Sequence, residues 1–426
     1  MGFFIGFWQA GGVQDTQLYQ QILGLIEPWQ VRRVTLKPLD GRIEVEVECT
    51  ETVWACPTCG QRMHGHGHET RRWRHLDSCQ FQTILVAEVP RLRCREHGTQ
   101  QVPVPWAEKN SRFTQLFERL AIDVLQECSV SATCEWLRIS WDEADGIKQR
   151  AVARGLARQQ AAPAEAPRRL CVDEKSTGRG HDYVTVVAKV EEGKKAIVAY
   201  VGEGRQRESL DAYWLSLTAE QRAGVEAVGM DMWEPYRLST QAHVPAATTK
   251  IVHDPFHLVR YVNEAVNDVR KEEQRVLATV GDERLKGSKQ LWLYGHERVP
   301  ASRAAEFEAL KAKKLKTSRA WALKELFREM WACETLGEAR TFFGKWYGWA
   351  MRSRLEPMKK VARMFRRHEG NILTYFVHRL TNAAIEGLNN RIAGLVKKAY
   401  GYRNRERFKT DILFHLGGLS LYPKVQ

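Results

Sequence analysis

The 426-residue chain is too long for one small domain, and 43% hydrophobic content with 14 Trp and 15 Phe supports a sizeable core, so about two to four folded units are expected. Lys and Arg number 65 against 51 Asp and Glu, and the net charge of +14 points either to a nucleic-acid partner or to a merely basic, soluble surface. Nine cysteines, odd in number and sparse, exclude a secreted disulfide framework, and no run approaches the roughly 18 apolar residues of a membrane span. The opening "MGFFIGFWQAGG" is apolar but lacks a basic flank and is too short for a signal, so a cytosolic protein with no membrane association is expected.

Residues 1–16 match no element and read as an irregular extension. "LYQQILGLIEP" has a helical pattern, and "VRRVTLK" and "RIEVEVEC" alternate as strands, so residues 1–53 form a helix-and-strand segment. A Cys- and His-bearing module is expected over 54–108 and three helices over 109–160. An Ala/Pro linker follows at 161–169, the clearest boundary in the chain. From Leu170 the pattern is three strands, a helix, a strand at "VEAVGMDMW", a helix from Glu234, a strand at "TKIVHD", and a further helix. That is the order of a ribonuclease-H-like mixed sheet, expected over 170–274 and 376–426, with an all-helical insertion at 275–375. The fold class is therefore multidomain α+β.

"CPTC" offers Cys56 and Cys59, and "CREH" offers Cys94 and His97. Zinc takes four thiolate or imidazole ligands in a tetrahedron, and a two-residue gap lets one knuckle turn present both side chains. Gly60 suits that turn, and the 34 intervening residues hold strand patterns, so a structural Zn²⁺ in a zinc-ribbon-like fold is expected. "MHGHGHE" (63–69) reads instead as a flexible polar hairpin loop, and Cys79 as a core residue or reserve ligand.

"RFTQLFERLAIDVLQE" is amphipathic, "SVSATCEWLRIS" makes a short helix capped by Ser129 or Ser131, and Ser140 caps a third helix at "WDEADGIKQRAVAR". A short helix, tight turn and second helix make a helix-turn-helix, whose second helix lies in the DNA major groove. Trp141, Lys148, Gln149 and Arg150 are its candidate DNA-binding residues, with Asp142 beside them. Three-helix packing without DNA is the plainer alternative.

Asp173 ends the apolar run "LCV" and Asp231 ends "AVGM". Were these strands neighbours, both carboxylates would leave one sheet edge, and clustered like charges need a divalent cation to neutralise them. Between Arg379 and Arg405 the only acidic residue is Glu386. On a helical wheel Ile385, Leu388, Ile392 and Leu395 form a core stripe, while Asn382, Glu386, Asn390, Ala393 and Lys397 share another face. Three such carboxylates could hold two Mg²⁺ or Mn²⁺ ions for phosphodiester displacement, and Arg391, Lys397, Lys398 and Arg403 could grip phosphates. Taken alone, strand-end aspartates are as often turn residues or helix caps. Asp254 before Pro255 reads as such a cap, His257 as a structural residue close to the site, and Trp233 as either a base-stacking or a packing side chain.

"CVDEKSTGRGHDYVTVV", "VGMDMWEPYR", "IVHDPFHLVRYVN" and "TNAAIEGLNNRIAGLVKKAYGYRN" resemble the blocks of the ISL-three family of bacterial insertion-sequence transposases, from about Leu18 to the C-terminus. The resemblance implies an acidic-triad (DDE) transposase with a ribonuclease-H-like core, Asp173 and Asp231 falling at the family aspartates and Glu386 at its glutamate. It implies a bacterial, nucleoid-associated protein that binds double-stranded DNA at element ends and target, as a homodimer or higher assembly. This sequence departs from the pattern in its N-terminal extension, in the second zinc pair ending at His97, and in Pro255. The rival readings are a non-catalytic DNA-binding regulator derived from a transposase, and a host nuclease such as a junction resolvase.

Overall fold

The computed structural model describes residues 15–161, 166–176, 183–191, 196–381 and 383–424. Most of the N-terminal extension, the middle of the Ala/Pro linker, the centre of the first family block and Asn382 lie outside the described residues. Two compact units form, one within Met1–Gln159 with Leu419–Gln426 and the other within Gln160–Gly418.

The first unit opens with helix α1 (Asp15–Ile22) and a six-stranded sheet of β1 (Trp29–Lys37), β2 (Arg42–Cys49), β3 (Val53–Ala55), β4 (Arg62–Arg74), β5 (Gln82–Cys94) and β6 (Gly98–Gln101). The order is β1-β2-β5-β4-β3, with β6 on β5, so the N-terminal strands and the Cys/His module share one sheet instead of dividing at residue 53. The alternation of β2 explains its seat: Ile43, Val45 and Val47 are buried while the intervening glutamates face outward. Trp29, Trp73 and Trp106 close the core with edge-to-face contacts at 4.9 and 5.4 Å. The expected 63–69 loop is instead part of β4, paired to β5 across a register shift between Gly65 and His68. Gly67, at φ 81°, takes the bulge that lets the strand continue. Cys79 is exposed in a turn at φ 52° rather than in the core.

Three helices follow, α2 (Gln115–Glu127), α3 (Val130–Leu137) and α4 (Trp141–Ala161). Thr114, Ser129 and Ser140 cap them, each accepting from an amide of the first turn, and Glu143 reciprocates to the Ser140 amide at 2.8 Å. The helices are locked by Glu118, 1% exposed, whose carboxylate accepts from Ser111 at 2.8 Å, Arg150 at 2.6 Å and Arg154 at 3.0 Å. This corrects the expectation for α4. Arg150 is turned inward to Glu118, because that buried charge must be met inside the bundle, and Lys148 is itself only 2% exposed, its ammonium 6.0 Å from the Trp141 ring. Trp141 and Gln149 remain exposed, as does Trp136 of α3. The chain's end returns to α4: Arg158 donates to the Ser420 and Tyr422 carbonyls, and Leu419 packs where a side chain on Gly155 would stand.

The second unit holds β7 (Arg169–Ser176), β8 (Tyr183–Lys189), β9 (Ile197–Glu203), α5 (Arg207–Leu215), α6 (Ala219–Ala223), β10 (Ala227–Met230), α7 (Glu234–His243), β11 (Ile251–His253) and α8 (Pro255–Ala278). The sheet order is β11-β10-β7-β8-β9, with β7, β8 and β9 antiparallel and β10 and β11 parallel to β7, which is the ribonuclease-H-like arrangement. A helical domain follows, with α9 (Lys289–Leu293), α10 (Ala301–Lys311), α11 (Lys316–Glu329), α12 (Leu336–Arg352), α13 (Glu356–Arg367), α14 (Glu369–Leu373) and α15 (Tyr375–His378). Its core already begins at Leu258 and Val262, so α8 packs with the insertion from its first turns rather than joining it only from about residue 275. Asn371 and Thr374 donate to the Ile251 carbonyl, satisfying the edge strand β11. Helix α16 (Ala383–Lys398) and α17 (Arg405–Leu416) then close back on the sheet.

Replacing Arg150 with Ala is expected to cost about 2 kcal/mol, since the buried Glu118 loses a charge-assisted hydrogen bond but keeps Arg154 and Ser111. Gln149→Ala, on the exposed side, should change stability by less than about 0.5 kcal/mol. Urea denaturation of the full chain separates the two, and equal midpoints would contradict the inward role of Arg150.

Candidate catalytic cleft and metal site

The four residues of β10 are all buried, and the strand ends where Asp231 begins. Gly229 pairs with Cys171 of β7, so carrying the register two residues on sets Asp231 level with Asp173. Each aspartate braces one oxygen on the next backbone amide, Glu174 N at 2.9 Å and Met232 N at 2.7 Å. Asp231 also accepts from Arg260 at 3.1 Å. His257 Nδ1 lies 3.9 Å from both Asp231 and Asp254.

Ile385, Leu388 and Ile392 bury one stripe of α16 among Cys171, Val184 and Val186 of the sheet, as their spacing requires. That docking brings Glu386 and Asn389 to a cleft of about 440 Å³ shared with Asp173, Phe256 and His257. Asn389 donates to Asp173 Oδ2 at 2.6 Å. Burial pushes the Asp173 carboxyl above its ordinary value, and the charge of Asp231 adds to this; the Asn389 amide and His257 act the other way. Glu174 is likewise pushed up by burial and then by both aspartates, with Arg205 opposing.

Asp173 and Glu386 thus line one cleft, and Asp231 adjoins it through His257. Among the described residues, however, the one group of three or more ligand atoms that closes within 4.8 Å is the Cys/His set, so the three carboxylates are not drawn that tightly together. Arg391, Lys397, Lys398 and Arg403 are all exposed. Trp233 is engaged rather than free to stack on a base: its indole donates to the Arg205 carbonyl at 2.9 Å, with the Arg205 guanidinium 4.8 Å from its ring. Sequence reasoning missed Asn389, Glu174, Arg205 and Arg260. Only Asn389 carried a usable signal, its i+3 spacing from Glu386 on one helix.

Cys56, Cys59, Cys94 and His97 converge at the ends of β3 and β5. Gly60, at φ 75°, donates to the Cys56 carbonyl at 2.8 Å and closes the knuckle. Cys59 and Cys94 sulfurs are 3.8 Å apart, and Cys94 Sγ lies 3.5 Å from His97 Nδ1. A tetrahedron with ~2.3 Å zinc–sulfur bonds has edges of about 3.8 Å, so the set fits zinc. The His97 ring and neighbouring amides hold the Cys94 thiol down at about 6, toward the thiolate that zinc binds.

Three family models match the chain in succession. They are a zinc-finger of transposase IS204/IS1001/IS1096/IS1165 over residues 52–97, a helix-turn-helix domain of transposase family ISL3 over 102–152, and a transposase domain over 170–412. The transposase for insertion sequence element IS1001 of Bordetella parapertussis is 26% identical over 410 residues, covering 95% of each chain. The transposase for insertion sequence element IS1557 of Mycobacterium tuberculosis is also 26% identical, over 436 residues, covering 95% of this chain and 96% of that one. No helix among the described residues is long and apolar enough to cross a membrane.

Elemental analysis should find one zinc per chain, lost with Cys94→Ser. Because structural zinc binding is worth about 10–16 kcal/mol of folding free energy, zinc loss should unfold the module and lower Tm. A Cys94→Ser chain that keeps both its zinc and its Tm would contradict the site.

Proposed function

This chain belongs to transposase family ISL3, and on that premise we propose that it cuts and joins DNA at the ends of an insertion sequence, with Asp173, Asp231 and Glu386 as ligands of two Mg²⁺ or Mn²⁺ ions. The observation that carries the residue assignment is the pairing of β7 with β10, which sets Asp173 and Asp231 level, together with the docking of α16 that brings Glu386 to the cleft Asp173 lines. An all-oxygen donor set suits these hard cations and not zinc.

Bound cations would neutralise the carboxylates and stabilise charge on the attacking and leaving oxygens of the phosphodiester. The chain's own residues set the geometry. Asp173 and Asp231 are oriented by the amides that follow them, and Glu386 approaches from a helix anchored in the sheet's core. In the first step a water oxygen attacks phosphorus at the element end and the 3′ oxygen leaves as a hydroxyl. In the second, that 3′ hydroxyl attacks a target phosphorus and the target strand's own 3′ oxygen leaves with a proton, so one phosphorus–oxygen bond forms for the one that breaks. The exposed Arg391, Lys397, Lys398 and Arg403 after Glu386 would meet backbone phosphates without reading sequence. On the helix-turn-helix, Trp141 and Gln149 would meet the DNA, since Lys148 and Arg150 face inward.

With a plasmid carrying the gene and its flanking DNA, Asp173→Asn should lower Mg²⁺-dependent strand cleavage by about 10²–10³-fold or more while leaving DNA binding intact. Wild-type cleavage in that variant would sink the assignment and favour the non-catalytic regulator. Two ends must be cut in concert, so the protein should form a homodimer or larger assembly on DNA. Light scattering that shows one chain per pair of bound ends would oppose this.

A further inference from the structure

One turn beyond Glu386, Asn389 faces the same strand, and its Nδ2 donates to Asp173 Oδ2 at 2.6 Å across 216 residues of sequence. The other oxygen, Oδ1, accepts from the Glu174 amide at 2.9 Å. A carboxylate held by one donor on each oxygen cannot rotate freely, and its remaining lone pairs have fixed directions. The amide of Asn389 is itself oriented by this contact, because its oxygen turned toward Asp173 would set two acceptors face to face. Among the described residues that oxygen is buried without a hydrogen-bond partner, beside the cleft.

From this arrangement we propose that Asn389 is a positioning residue that fixes the Asp173 carboxylate for a divalent cation. The proposal rests on the reading of Asp173 as a ligand. The choice of side chain follows from charge. An Arg or Lys at this position would also hold the carboxylate, but its positive charge would compete with the cation; an Asp or Glu would repel Asp173. A neutral amide supplies the hydrogen bond and neither penalty. It also ties the spacing of Asp173 and Glu386 to the seat of one helix, since Asn389 and Glu386 share a face of α16 whose opposite stripe is buried in the sheet.

The test is a Mg²⁺ titration of the full zinc-loaded chain, read as the rise in Tm and, separately, as cleavage of the plasmid described above. Asn389→Leu should need about tenfold or more Mg²⁺ for half of either response, the scale of an outer-shell contact, with cleavage recovering at high Mg²⁺. Asn389→Ser, which keeps a shorter donor, should fall between it and the wild type, and it carries the test if the leucine variant is unstable without metal. Asp173→Asn should abolish the Mg²⁺ response. Its persistence there would overturn Asp173 as a ligand. A normal titration for Asn389→Leu or Asn389→Ser with none for Asp173→Asn would overturn the positioning role alone.

Discussion

The second unit is organised around two like charges at the ends of adjacent parallel strands. Neighbouring strands lie ~4.8 Å apart, and at an effective dielectric near 20 two unit charges at that spacing repel by about 3–4 kcal/mol. Burial raises the cost further for Asp173, whose carboxyl is already pushed up. Several groups at the sheet's edge offset that repulsion, namely the amides after each aspartate, Asn389, Arg260 and His257, while Glu174 adds to it. On the proposed reading that pair is a site for a divalent cation, which oxygen donors of this kind suit.

The rest of the unit can be understood as the means of bringing a third carboxylate to this edge. Between Asp231 and Glu386 the chain leaves along α8, builds a helical domain around Trp292, Phe327 and Trp346, and returns through α14 and α15 on strand β11. The return fixes where α16 starts, and the apolar stripe Ile385, Leu388 and Ile392 fixes its rotation. A rotation of one residue would turn Glu386 out of the cleft. The apolar stripe therefore positions the carboxylate as directly as any hydrogen bond does.

Much of this was legible in the sequence because it is periodic. The alternation in β2, the capping serines 129 and 140, the two Cys-x-x ligand pairs and the strand-helix order of the core all follow local rules, and the structure follows them. What was not legible depends on partners distant in sequence. Lys148 and Arg150 looked like DNA contacts on charge, yet Glu118 in another helix draws Arg150 inward. The histidines 64, 66 and 68 looked like loop residues until β5 gave their strand a neighbour. Asn389 gained a role only when the sheet set Asp173 opposite it. Nor does the sequence reveal that α8 packs into the insertion's core from Leu258 onward, since a continuous helix carries no boundary signal.

The central claim is that Asp173, Asp231 and Glu386 converge on shared cations. The most direct measurement replaces Mg²⁺ with Fe²⁺ and generates hydroxyl radicals with ascorbate and peroxide, which cut the backbone beside the bound ion. Mass spectrometry then maps the cuts. Cuts near residues 173, 231 and 386 together, suppressed by excess Mg²⁺, are the result this account requires; cuts confined to other regions, or indifferent to Mg²⁺, would contradict it.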